Sequence, residues 1–225
     1  MNDERLFKDT IYEQLARIGK AVSSPKRLEL IDILSQSSRP VETLASLADL
    51  SVANVSQHLK ALKSARLVES EKVGVQVFYR LASPSVAAFI RELRLLGEER
   101  LAEIDQLVRE YRTDTTRFDP VDRDELLRRV RRGEAVVLDV RPEEEYRHAH
   151  VAGALSVPLR ELEARIKDLP ADREIVAYCR GAYCLMAVDA VEKLRARNFR
   201  AFRLDLGVTD WQALGFALES GSATP

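Results

Sequence analysis

Two cysteines, Cys179 and Cys184, are the only ones in 225 residues, and both fall in the stretch AYCRGAYCLMAVDAVEKL. Thiols this close can close a disulfide, supply half of a metal site, or act as a reactive thiol and a companion. No signal peptide and no membrane-length apolar run is found, so the expected compartment is the cytoplasm, where thiols are kept reduced. That disfavours a structural disulfide. A structural zinc centre needs four Cys or His ligands. The chain has three histidines, of which His58 is remote in sequence and His148 and His150 lack a Cys-x-x-Cys partner. Neither metal nor cofactor is expected. A reactive thiol fits better. Cys179 ends the apolar run EIVAYC, and an amphipathic stretch follows. A loop between strand and helix directs backbone amides and a helix N-terminus at an anion. The Cys179 thiolate is therefore expected below the free thiol value of about 8.5. Arg180 adds positive charge, Gly181 permits an unusual backbone angle, and Ala182 and Tyr183 complete the loop.

The elements that must position this loop lie in the second half of the chain. From residue 135 onward short β-branched runs alternate with amphipathic helices: AVVLDV, ELEARIKDL, EIVAYC, LMAVDAVEKLRARN and RAFRLDL. Alternation of this kind implies a small α/β domain with a mainly parallel sheet, whose ligands bind at the C-terminal strand edge. The first half reads mostly helical. Between them RTDTTRFDPVDRD is polar and carries a Pro, as linkers do. The expected domains are 1–112 and 121–225, joined by a linker at 113–120. The composition, 46% hydrophobic and 32% charged with net charge −1, is that of an ordinary soluble protein and excludes neither nucleic-acid nor small-molecule partners.

In the first half, residues 4–22 predict a helix with Leu6, Ile11, Leu15 and Ile18 on one face. Ser24 and Pro25 open a second helix as N-cap and first residue. PVETLASLADL is a short third helix. Ser51 caps a fourth, whose apolar stripe is Val52, Val55, Leu59 and Leu62. LVESEKVGVQVFYRLA alternates around Gly74 as a two-stranded hairpin, and residues 85–112 read as one long amphipathic helix. Helix, short helix, turn, helix and hairpin is the order of a winged helix-turn-helix. Residues 51–80 carry Lys60, Lys63, Arg66, Lys72 and Arg80 against Glu69 and Glu71. Amide, hydroxyl and imidazole groups suit base edges, and lysines suit phosphates. The candidate DNA-contacting residues are Ser51, Asn54, Ser56, Gln57, His58, Lys60, Lys63, Lys72 and Gln76.

Residues 4–112 resemble the ArsR/SmtB family of winged-helix repressors. The resemblance rests on Ser56, His58, Leu59 and Leu62, then Leu67-Val68, and a wing ending in Tyr79-Arg80-Leu81. It implies a homodimer held by the helices near 4–22 and 85–112, reading an inverted repeat in double-stranded DNA. Arg66 stands where the family often has Gly at a left-handed helix end. The family's metal-site cysteines on the helix PVETLASLADL and histidines on the last helix are absent, so the signal input must lie elsewhere.

Residues 121–220 resemble a single rhodanese domain. LDVRPEEEYRHAHVAGALSVPL is similar to its entry motif, matching at His150, Gly153 and Ala154 and departing at Ala149 and Ala152. DLGVTDWQALG is similar to its closing motif, with Gly207 and Trp211. The resemblance places Cys179 as nucleophile and persulfide carrier in a six-residue loop. At the sixth position, where thiosulfate-using members commonly place Arg, stands Cys184, read either as a small buried residue or as a resolving thiol. The expected protein is a mainly α winged helix-turn-helix with a two-stranded wing, followed by the rhodanese domain. The leading function is a repressor sensing sulfane sulfur or oxidants from a small sulfur donor. The alternatives are an active sulfurtransferase, and a regulator whose idle rhodanese domain only binds a partner.

Overall fold

The computed structural model describes residues 3–113 and 123–221. The chain divides into two compact units, Met1–Leu93 and Arg94–Pro225. Of the expected linker, residues 114–120 lie outside the described residues.

The first unit begins with α1 (Asp3–Val22), α2 (Pro25–Gln36), β1 (Arg39–Pro40), α3 (Val41–Leu47) and α4 (Val52–Ser64). It continues with β2 (Val68–Val73), β3 (Gln76–Leu81) and the first part of α5 (Pro84–Arg100). Leu30 and Ile31 of α2, Leu44 of α3, and Val55, Leu59 and Leu62 of α4 are fully buried together. Their spacing on α4 is the 3.6-residue period that buries one helix face. Val52, expected on that stripe, is 44% exposed because it starts the helix beyond the reach of the core. Ser24 precedes α2 as its N-cap, but its side chain makes no capping bond. The α4 helix ends at Arg66, whose φ is +60°, the left-handed turn expected where the family often has glycine.

The wing is antiparallel, in the register Val68↔Leu81 to Val73↔Gln76. Its two-residue turn places Gly74 first, at φ +61°, a conformation glycine adopts without strain. A third strand joins it: β1 pairs with β3, Arg39 opposite Tyr79 and Pro40 opposite Phe78. The expected single helix over 85–112 is two helices, α5 and α6 (Ala102–Thr113), parted at Leu101. Gly97 packs closely beside the break: a Cβ there would lie 3.2 Å from Ile104 Cδ1.

The second unit takes in the end of α5, then α6, α7 (Arg123–Arg131), β4 (Ala135–Asp139), α8 (Glu143–His148), β5 (His150–Val151) and β6 (Leu155–Ser156). After α9 (Leu162–Arg165) come β7 (Glu174–Tyr178), α10 (Met186–Arg195), β8 (Ala201–Arg203), α11 (Val208–Ala213) and β9 (Leu218–Glu219). Four strands form a parallel sheet in the order β6-β4-β7-β8, and β5 pairs antiparallel with β9. β4 and β7 are buried along their whole length. Ile175 and Ala177 face the core with α9 and α10, while Val176 and Tyr178 face the one with α7, α8 and α11. A strand covered on both faces reads as an unbroken apolar run, which is what EIVAYC is.

Candidate thiol site and nucleic-acid interface

The floor of the thiol site is a buried polar clamp between the ends of β4 and β7. Asp139 and Arg141 are both fully buried, with Arg141 Nη2 2.6 Å from Asp139 Oδ2 and 2.7 Å from the carbonyl oxygen of Ala149. The Tyr178 hydroxyl donates to Asp139 and accepts from Val151 N–H at 3.2 Å. Burial pushes the Tyr178 phenol up, and the Asp139 charge adds to it. For Arg141 burial alone would lower the pKa, but Asp139 overrides it and the group is raised. His150 is 3% exposed, stacks on Tyr146 at 3.6 Å, and its Nδ1 lies 2.8 Å from the Tyr146 carbonyl oxygen. It braces this clamp rather than reaching the thiols. Among the described residues no group of three or more His, Cys, Asp or Glu side chains could hold a metal ion.

Directly after Tyr178, Cys179 opens the loop that ends at α10. Gly181 takes φ +133°, which the loop requires and an L side chain rarely adopts. Cys184 N–H closes the turn on the Gly181 carbonyl oxygen at 3.1 Å. Gly207 has a different role: a Cβ there would lie 2.4 Å from the Arg180 carbonyl oxygen, so only glycine lets the closing segment pack under the loop. Asp210 holds that segment, accepting from Gly207 N–H at 3.0 Å and from Arg94 Nη2 at 2.7 Å.

Both cysteines are free thiols. Cys179 is 1% exposed, and its Sγ lies 3.5 Å from the Cys184 carbonyl oxygen, an acceptor that disfavours a charge on sulfur. Its pKa is pushed up, first by the hydrogen bond it gives Cys184, then by burial and by the Cys184 charge. The N–H groups of Gly181 and Ala187 offset this only in part. Cys184 is less buried and is pulled down to about 6, first by the Cys179 hydrogen bond, with help from the Arg180 and Met186 N–H groups and the Arg180 charge. Burial and the Cys184 carbonyl oxygen thus work against the early ionisation expected of Cys179, while the nearby N–H groups and the Arg180 charge favour it at Cys184. The amide groups expected to serve Cys179 alone are divided between the two sulfurs.

Arg180 is turned aside, its guanidinium 2.6 to 3.2 Å from the carboxylate of Glu145, which is itself 1% exposed. Arg203 donates to the Ala182 carbonyl oxygen at 3.2 Å and pairs with Asp205. The rim carries Tyr183, 56% exposed, with its hydroxyl 2.9 Å from Glu98. Glu145, Arg94, Glu98, Asp210 and Arg203 were not singled out from sequence. Glu145 is one of three consecutive glutamates, and nothing in the run marks the one that turns inward.

In the first unit, Asn54, Ser56, Gln57, Lys60 and Lys63 are exposed along α4, and His58 is half-buried. Ser51 caps the helix by accepting from Asn54 N–H at 3.2 Å, and Ser56 donates back to the Val52 carbonyl oxygen at 2.8 Å. Lys63 Nζ lies 2.6 Å from Ser70 Oγ, tying α4 to the wing. Lys72 and Gln76 are exposed near the wing tip, while Arg80 pairs with Glu69 at 2.5 Å. The exposed set thus concentrates on one helix and one hairpin.

Residues 24–70 match the model of the bacterial regulatory proteins of the arsR family, and residues 122–214 that of the rhodanese-like domain. The chain is 39% identical over 215 residues to the HTH-type transcriptional regulator Rv0324 of Mycobacterium tuberculosis, covering 96% of this chain and 94% of that protein. It is 36% identical over 81 residues to a transcriptional repressor SmtB homolog of Synechocystis, covering 36% of this chain and 61% of that one. A Mycobacterium bovis domain, described as a homodimeric winged helix-turn-helix DNA-binding domain, is 35% identical with a TM-score of 0.40, covering 42% of this chain and 87% of that chain. With both domain models matched and one relative aligned over nearly its full length, the chain belongs to the arsR family of transcriptional regulators, as a winged helix-turn-helix followed by a rhodanese-like domain.

Proposed function

We propose that this regulator is a repressor whose rhodanese-like domain senses sulfane sulfur through Cys179, with Cys184 as proton acceptor and resolving thiol. The observation that carries the reading is the pair of free thiols in the loop from β7 to α10, with Cys179 Sγ 3.5 Å from the Cys184 carbonyl oxygen. A hydropersulfide donor R–S–S–H supplies the chemistry without any external oxidant. Cys179 gives its proton to the Cys184 thiolate and attacks the outer sulfur. The Cys179 S–S bond forms, the donor's own S–S bond breaks, and R–S⁻ leaves with the electron pair and takes the proton from Cys184. Cys184, ionised again, then attacks Cys179 Sγ. A Cys179–Cys184 disulfide forms and hydrosulfide leaves with the electron pair. The loop amides already directed at the sulfurs serve the persulfide as they serve the thiolate.

On the DNA side, Asn54, Gln57 and His58 read base edges while Lys60 and Lys72 hold phosphates. The chain acts as a homodimer on an inverted repeat. Leu6, Phe7, Ile11, Tyr12 and Leu15 of α1, with Phe89, Leu93 and Leu96 of α5, are each at least 36% exposed and form the apolar faces a second copy would cover. The test is mass spectrometry of the Cys179–Cys184 peptide after polysulfide treatment, beside a DNA-binding titration of the same sample. A mass gain of one sulfur, or a disulfide, with changed affinity supports the reading. An unmodified peptide contradicts it.

A further inference from the structure

We propose that the thiol loop accepts sulfane sulfur from donors R–S–S–H whose R group is uncharged and apolar, and rejects donors that carry an anionic group there, such as thiosulfate. This rests on the sulfane-sulfur reading and deepens it. The residues around the loop carry the argument through charge. Three guanidinium groups bond the loop or the segment beneath it, and each is already matched. Arg180 is held by Glu145, and Arg203 by Asp205. Arg94 is held by Asp210 at 2.7 Å and by Glu98 at 3.1 Å. Four carboxylates thus surround three guanidiniums, and a thiolate adds a further negative charge. Glu98 is the group the rim tyrosine bonds, so a carboxylate lies beside Tyr183.

The rim itself is apolar. Tyr183 and Leu185 are 56% and 38% exposed, on either side of Cys184. The Tyr183 ring and the Leu185 isobutyl group offer contact area to a hydrocarbon substituent, and the Tyr183 hydroxyl already donates to Glu98. A thiosulfate dianion needs at least one uncommitted cation to offset its desolvation. The loop amides do not supply it, because they are directed at the sulfurs.

The test uses a matched donor series on the full-length protein at neutral pH: benzyl hydropersulfide, its para-carboxylate and its para-sulfonate, with thiosulfate beside them. Each labelling rate of the Cys179–Cys184 peptide is divided by the donor's rate with free cysteine. The three hydropersulfides share the ionisation of the S–S–H group, and the expected result is labelling at least tenfold faster for the benzyl donor, whose ring is neutral, than for either ring-charged anionic analogue. Glu145→Gln releases Arg180 and should narrow the gap by raising the anionic rates. Tyr183→Ala, a surface change that spares the fold, should lower the neutral rate severalfold and leave the anionic rates unchanged. Equal or faster labelling by the anionic donors in the wild type overturns the proposal and leaves the persulfide reading standing. Labelling by no donor overturns both. The expected selectivity with unchanged DNA affinity supports the donor class and removes sensing alone.

Discussion

A thiol 1% exposed beside a carbonyl oxygen keeps its proton, and Cys184, less buried and near the Arg180 and Met186 N–H groups, is pulled toward losing its own early. This division of roles between Cys179 and Cys184 makes a direct prediction. The thiolate fraction rises as pH passes the pKa, so alkylation by iodoacetamide should rise with a midpoint near 6, the value to which Cys184 is pulled. Cys179→Ala removes the hydrogen bond that contributes most, and should move the midpoint up toward the ordinary thiol value. A wild-type midpoint near the free-cysteine value of about 8.5 would contradict the division. At the DNA-contacting residues, Gln57→Ala should cost about 1–3 kcal/mol at the cognate site if its contact is bidentate, and should relax base preference there. Lys60→Ala should weaken binding to all sequences and lower the salt slope, read from titrations at several salt concentrations. The sequence marks these residues because their types and helix positions are visible in it. It does not reveal which cysteine ionises, because that depends on which amides meet which sulfur across the loop.

Among the elements, the helices and strands with a strong period were legible: α4 from Val55, Leu59 and Leu62, β7 from EIVAYC, and the wing from alternation around Gly74. The left-handed end at Arg66 followed from position alone, since the turn there is set by the helix-to-wing connection and not by the residue. Two features were not legible. β1 is two residues long, formed by pairing with β3, and carries no periodic signal of its own. The break at Leu101 is hidden because the amphipathic pattern continues from α5 into α6. The clamp between β4 and β7 was not legible either, since nothing in the sequence pairs Asp139 and Arg141 with Tyr178 across the sheet. Asp139→Ala would strand a fully buried Arg141, and should lower stability by about 3–5 kcal/mol in a denaturant titration. A loss under 1 kcal/mol would mean that Arg141 finds another partner.

For the whole molecule, the dimer and the signal are the two claims at issue. Phe7→Asp places a charge on the exposed α1 face, and should shift the protein from dimer to monomer in light scattering at micromolar concentration. A variant that stays dimeric would move the interface elsewhere. The two-domain order was legible because the change from helical to alternating strand–helix pattern is strong. The partition of α5 was not, since a division inside one helix leaves no mark in composition. Sensing requires that chemistry at the thiol pair alter DNA affinity, and a tenfold change needs only about 1.4 kcal/mol between the two states. The most direct measurement is the affinity of reduced and polysulfide-treated protein for an operator duplex selected from a random-sequence pool. Wild type, Cys179→Ser and Cys184→Ser are compared, with modification verified by mass. The account predicts that treatment shifts wild-type affinity at least tenfold and leaves Cys179→Ser unchanged. In Cys184→Ser a retained shift makes the persulfide the signal, and a lost shift makes the disulfide the signal. Equal affinities for reduced and fully modified wild type would contradict the account.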